Sequence, residues 1–337
     1  MYQFVIALII VGLGLFFNFS NGFNDSANIV AVPVATKSFN ISKLLIFAGI
    51  FEFVGAYFLG DKVSKTISTG IVFEEVFFKN KYGIAILFSA LLSAIIWNLS
   101  CTTFGLPVSA SHALIGGLVG SALGIGEFQK VHWNNVLKIF LLLLFVPLLS
   151  FFTAYILTKI LRILLMGANI KIKKLFKHLE VFTSYLYALS HGTNDGQKAV
   201  GLITFSLIIL GFSNQNIIFS PKWVIFLCAL SLSLGIMFGS WKVIKTVGIK
   251  IYKIKDLNGV VSQFTSGMII YIASICGLPL STTHVFTTSV MGTGAAERVK
   301  GVRWWLSRDI FLAWLLTIPI TATISFLVFK LIILFKL

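Results

Sequence analysis

The chain has 337 residues, 57% of them hydrophobic and 11% charged, with a mean hydropathy of +0.96. A soluble domain carries about 25% charged residues, so a soluble core is excluded, and recurrent apolar runs of about 20 residues mark a polytopic, all-α membrane protein lying in a lipid bilayer. The net charge of +16 does not signal nucleic-acid binding, because the basic residues gather between apolar segments as in cytoplasmic loops, while aromatics lie along the spans.

In chain order, residues 3–36 form one apolar stretch interrupted by a polar run at 18–25. At about 1.5 Å per residue a continuous helix of that length outruns a bilayer, so a broken first helix is expected, with Asn24 and Asp25 at the break. Residues 41–60 form a second span carrying Glu52. Two shorter arms, 83–101 and 109–125, flank the turn Gly105-Leu106-Pro107-Val108-Ser109, and 134–165 is another long span. The order then repeats, with 181–213 around Asn194-Asp195, 222–241, arms 259–276 and 283–296, and 305–335. The expected organisation is a first repeat at 1–165, a basic connector at 166–180 and a second repeat at 181–337.

Each half counts three crossings plus a re-entrant helical hairpin, and the odd count inverts the second half relative to the first. The connector and the basic loops at 37–43, 242–255 and 298–308 then fall in the cytoplasm, with both termini outside. The loop at 213–221, expected outside, has no Lys or Arg. Lys62, Lys65, Lys79 and Lys81 are outside positives accompanied by Asp61, Glu74 and Glu75. The apolar N-terminus lacks a leading basic residue and a cleavage site, and reads as a retained span. Cys101, Cys228 and Cys276 show neither disulfide nor metal spacing.

Two polar motifs occur twice. Gly22-Phe23-Asn24-Asp25 returns as Gly192-Thr193-Asn194-Asp195, and the turn running from Gly105 to His112 returns from Gly277 to His284. Twinned polar groups in corresponding places of two apolar halves are the mark of a secondary transporter. An acid at mid-span costs roughly 2.5–3.5 kcal/mol on insertion scales, so Asp25 and Asp195 read as a pair of cation sites. The oxygens of Asn24, Asn28, Asn194 and Gln197, with carbonyls freed by helix breaks, are the candidate co-ligands. The plainer alternative is that both Asp cap half-helices.

At the turns, Ser109, Ala110 and Ser111, then Ser281, Thr282 and Thr283, open the second arms. A helix start with free N–H groups and hydroxyls binds oxyanions without a cationic side chain; ordinary N-capping is the alternative. Asn24 and Asn194 join these residues in the expected anion site. Glu52 is either a third ion or proton site or a structural partner. His112 and His284 are expected to bond a neighbouring helix, and His191 is a proton relay or a satisfied contact. Gly116, Gly120 and Gly124 point to close helix packing.

At these residues the chain resembles the PiT family of inorganic phosphate transporters. Gly22-Phe-Asn-Asp-Ser-Ala-Asn28 is similar to its Gly-x-Asn-Asp-x-Ala-Asn signature, His191-Gly-Thr-Asn-Asp-Gly-Gln-Lys198 to the bacterial form, and both Leu-Pro-x-Ser-x-x-His turns and Glu52 match as well. The resemblance implies cation-coupled phosphate symport by alternating access in the cell (inner) membrane, with Na⁺ or H⁺ at Asp25 and Asp195 and phosphate cradled at Ser109 and Ser281. It also implies a homodimer, two inverted repeats, no enzymatic activity, and no cofactor or metal beyond the transported cation. Two departures stand out: Leu87 where some relatives have a glutamate, and Lys198 where an Asn would mirror Asn28. A sulfate transporter of the same fold is the nearest alternative. An intramembrane hydrolase built on Ser-x-x-His is remote, since the pair is duplicated and no Gly-x-Ser-x-Gly is present.

Overall fold

The computed structural model describes the chain except for residues 1, 38, 61–62, 65, 67–70, 72–81, 127, 168–169, 214–219 and 336–337. Lys62, Lys65, Lys79, Lys81, Asp61, Glu74 and Glu75 thus lie outside the described residues, as does most of the loop at 213–221.

A lipid-soluble chain must satisfy its backbone within itself, and the described residues are helical almost throughout. The long helices are α1 (Tyr2–Ala35), α2 (Ile41–Phe58), α3 (Gly83–Phe104), α4 (Ala110–Ile125), α5 (Trp133–Leu164), α6 (Ile170–Ile209) and α7 (Lys222–Phe238). A short α8 (Trp241–Lys245) runs into a π-turn (Thr246–Ile251), followed by α9 (Asp256–Ile275), α10 (Thr282–Glu297) and α11 (Trp304–Leu334). Among the described residues α1, α2, α3, α5 and α11 are long and apolar enough to cross a membrane. The pair α7 and Trp241–Ile251, bent by 61°, makes a sixth candidate, so part of the basic loop expected at 242–255 is helical.

One expectation is corrected. The first helix is not broken: α1 is continuous over 34 residues, about 51 Å, and α6 is continuous through Asn194-Asp195. The physical reason is that the polar side chains need no break to be accommodated. Asn18, Asn21, Asn24, Asp25 and Asn28 are all buried against neighbouring helices, and the backbone keeps its own bonds. Neither Asp caps a half-helix, and no carbonyls are freed there. Within the expected connector at 166–180, the chain is helical from Ile170 onward, forming the first turns of α6.

The helices α1 and α6 cross antiparallel at the centre. A Cβ on Gly14 would meet Ile203, Asn18 reaches the Gly196 carbonyl, and Asn21 reaches Asp195. Around this crossing the packing comes in matched pairs: α1 on α7 and α6 on α2, α1 on α3 and α6 on α9, α4 on α11 and α10 on α5. Close approach at glycine enables it. A Cβ on Gly22 would collide with the Leu232 carbonyl of α7, and one on Gly192 with the Glu52 carbonyl of α2. Gly116 and Gly120 of α4 likewise abut the α11 backbone at Ile318 and Ala322, as the spacing foretold.

Two apolar clusters form the interior. One takes Ala7, Ile10 and Phe17 from the start of α1, Ala199 to Ile203 from the end of α6, and the α3–α4 hairpin. The other takes Ala27 to Val32 from the end of α1, Tyr187 and Ala188 from α6, and the α9–α10 hairpin. Leu87 packs within the first of these. The hairpins therefore sit at opposite ends of the crossed pair, and their turns meet near its middle.

Candidate functional site

Each hairpin turn is built the same way. Helix α3 ends at Gly105 with φ +71°, and α9 is followed by Gly277 with φ +69°, the left-handed geometry that glycine adopts freely. Gly105 and Leu106 donate back to Thr102 and Cys101 (3.0 and 2.9 Å), and Gly277 and Leu278 to Ser274 and Ala273 (3.0 and 2.9 Å). Ser109 then caps α4, accepting from the His112 N–H, and Ser281 caps α10, accepting from the His284 N–H, both at 3.3 Å. The capping alternative thus describes what these two hydroxyls do.

The duplicated asparagines anchor the turns. Asn24 Nδ2 donates to Thr102 Oγ1 (2.6 Å) and the Leu106 carbonyl (3.4 Å), while Asn194 Nδ2 donates to Ser274 Oγ (3.1 Å) and the Leu278 carbonyl (3.0 Å). The oxygens Asn24 Oδ1 and Asn194 Oδ1 remain buried with no hydrogen-bond donor.

At the crossing itself, Asp25 and Asp195 are both 1% exposed. Asp25, His191 and Asp195 each offer a ligand atom within 4.8 Å of the others. Asp25 Oδ1 accepts from Asn28 Nδ2 (2.8 Å) and Thr283 Oγ1 (2.5 Å). Asp25 Oδ2 has only longer neighbours, His191 Nε2 at 3.3 Å and Thr282 Oγ1 at 3.4 Å. On its other side His191 places Nδ1 2.6 Å from Glu52 Oε1, so Glu52 has a partner whose identity the sequence did not give. Asp195 Oδ2 accepts from Asn21 Nδ2 (2.8 Å), and Asp195 Oδ1 lies 2.7 Å from Lys198 Nζ. The oxygens Asn28 Oδ1 and Glu52 Oε2 are buried and without a donor. Carboxylate, amide and hydroxyl oxygens converging in this way form a ligand set suited to a hard cation.

The expected site residues therefore divide. Asp25, Asn28, Thr282, Thr283, Glu52 and Asp195 meet at the crossing. Ser111 donates to the Leu280 carbonyl at 2.8 Å, joining the two turns. Ala110 opens α4 beside it. Gln197 is turned to α2, donating to the Ala56 carbonyl at 2.8 Å. His112 and His284 do not bond a neighbouring helix. Their rings face each other at 4.6 Å, His284 stacks on Trp314 at 3.7 Å, and none of the four ring nitrogens has a hydrogen-bond partner. Asn21 belongs to the centre and was not anticipated. Its signal is the spacing of Asn18, Asn21, Asp25 and Asn28, which puts all four on one face of an uninterrupted helix.

Comparison with known proteins agrees with this arrangement. Residues 21–325 match the phosphate transporter family. The chain belongs to that family. A probable low-affinity inorganic phosphate transporter of Bacillus subtilis (strain 168) is 40% identical over 324 residues, covering 95% of each chain. One of the same description from Rhizobium meliloti (strain 1021) is 35% identical, covering 94% of this chain and 93% of its own. Among solved structures, one titled the sodium-dependent phosphate transporter superposes with a TM-score of 0.89 at 26% identity, covering 98% of this chain and 99% of that one. Family and relatives are transporters, not enzymes, so the hydrolase alternative is set aside.

Proposed function

We propose that the protein is a cation-coupled symporter of inorganic phosphate that works by alternating access through two inverted repeats, each with a re-entrant hairpin, as a homodimer in the cell membrane. The observation that carries the proposal is the meeting of Asp25, His191 and Asp195 within 4.8 Å at the crossing of α1 and α6, with both hairpin turns anchored to those helices by Asn24 and Asn194. The matched helix pairings support the repeat reading, with repeats at 1–165 and 181–337 and the basic stretch between them, 166–180, facing the cytoplasm.

In this reading the buried carboxylates supply the negative charge that holds the coupling cation. The orphan N–H groups at the starts of α4 and α10 supply the dipoles for phosphate. Moving an anion inward against a negative interior costs about 2.3 kcal/mol per charge per 100 mV, so each phosphate charge calls for a co-moving cation. Sodium is the first cation to test, because the structural neighbour is described as sodium-dependent; H⁺ is the other.

Proteoliposome uptake of labelled phosphate tests the proposal. Accumulation above the outside concentration when a Na⁺ or pH gradient is imposed is expected, and collapse on removing Na⁺ at fixed pH assigns the ion. Simple equilibration under every gradient would identify a passive channel and overturn the symport reading. Excess sulfate that competes on equal terms would turn the assignment to a broader oxyanion carrier.

A further inference from the structure

We propose that Lys198 is a built-in counter-ion that fills the cation position at Asp195, leaving Asp25 as the carboxylate that loads a cation from solution. The inference deepens the coupling-site reading above and rests on it. Position by position, the two aspartates have equivalent neighbours. Asn28, three residues after Asp25, reaches Asp25 Oδ1 at 2.8 Å, and Lys198, three residues after Asp195, reaches Asp195 Oδ1 at 2.7 Å. His191 approaches Asp25 Oδ2 as Asn21 approaches Asp195 Oδ2.

What differs is the chemistry. Asn28 brings a buried oxygen without a donor, free to ligate a cation beside Asp25; an ammonium has donors only. The hairpin hydroxyls follow the same division. Thr282 and Thr283 of α10 direct Oγ1 at Asp25, at 3.4 and 2.5 Å. Their counterparts on α4 are Ala110, with no hydroxyl, and Ser111, which donates to Leu280 instead. The amide oxygen and the two hydroxyls that attend Asp25 are thus replaced or turned away at Asp195, and a positive charge stands in their place. A second cation about 4 Å from the ammonium would lose affinity on the order of a thousandfold from charge repulsion at a protein-like dielectric. A single loadable cation matches the phosphate monoanion for charge-balanced transport.

The test is the equilibrium slope of log phosphate accumulation against log cation gradient. It uses proteoliposomes of the full chain with the potential clamped at zero, driven by Na⁺ gradients at equal pH and, separately, by pH gradients with phosphate counted as the monoanion. Wild type is expected to give a slope of one, so a tenfold gradient drives tenfold accumulation. Lys198→Asn, which restores the ligand type at Asn28, is expected to give a slope of two and a hundredfold accumulation. Lys198→Arg is expected to stay at one. A wild-type slope of two overturns the proposal and needs no variant. So does an active Lys198→Asn that keeps a slope of one, and if its phosphate affinity also falls, the ammonium belongs to the anion. A slope of zero for wild type under both gradients defeats the coupling reading itself, and the counter-ion proposal with it.

Discussion

At the roots of the hairpins the two halves of the molecule bond alike, and at the aspartates they do not. Asn24 holds Thr102 and Leu106 as Asn194 holds Ser274 and Leu278, and Gly22 meets α7 as Gly192 meets α2. A few ångströms away, Asp25 is ringed by an amide, two threonines and an imidazole, whereas Asp195 has a lysine, a single amide and the same imidazole at 3.8 Å, with no threonine. The lesson is about constraint. Backbone-to-backbone contact leaves no freedom to change one copy, while a side chain facing a shared centre can be exchanged if charge stays balanced.

The comparison breaks most readily at the carboxylates. Asp25→Asn is expected to leave a folded protein whose gradient-driven accumulation falls to simple equilibration. Asp195→Asn strands the Lys198 charge in the interior, and unpairing one member of a buried pair costs about 3–5 kcal/mol, visible as a collapse of the detergent melting temperature. Equal loss of stability in both variants would show that the two centres are electrostatically alike. Next come the contact glycines. Gly22→Ala and Gly192→Ala each push a methyl into a neighbouring backbone and are expected to cost about 1–3 kcal/mol apiece. Gly12→Ala, with open space around it, should leave the melting temperature unmoved.

Asn24→Ala and Asn194→Ala each remove hairpin bonds worth about 1–2 kcal/mol. The frame is a true duplicate only if the two losses match, as thermal unfolding can check. The smallest effect is expected at Glu297, at the end of α10, which bonds Tyr252 and Lys255 and lies 3.8 Å from Arg162. Nothing like it stands at Ile125 in the other half. Because Arg162 and Lys255 are largely exposed, Glu297→Gln is expected to cost under about 1 kcal/mol, and less in high salt.

Much of this was written in the sequence because membrane burial makes polar residues conspicuous. Asp25 and Asp195 stood out by cost, and the twinned turns by repetition. The break expected in α1 came from weighing the length of the apolar run against bilayer thickness and overlooking that Asn18, Asn21, Asp25 and Asn28 share one helix face. Polar residues on one face signal burial against a partner helix, whereas a break would scatter them. The pairing of Glu52 with His191 spans 139 residues, and local spacing carries no trace of it. Ser109 and Ser281 cap α4 and α10, the alternative the sequence left open, because a serine opening a helix has its own N–H groups as the nearest claimants.

The unbroken run of α1 and α6 has a consequence for movement. Each is a stiff rod rooted in both apolar clusters, and the rods cross where the carboxylates lie. A rod pinned at its middle behaves as a see-saw, and prying its ends apart on one side of the membrane presses them together on the other. In the alternating-access cycle proposed above, two doors hung on one beam would not stand open at once, which is the property a coupled carrier needs to avoid becoming a leak.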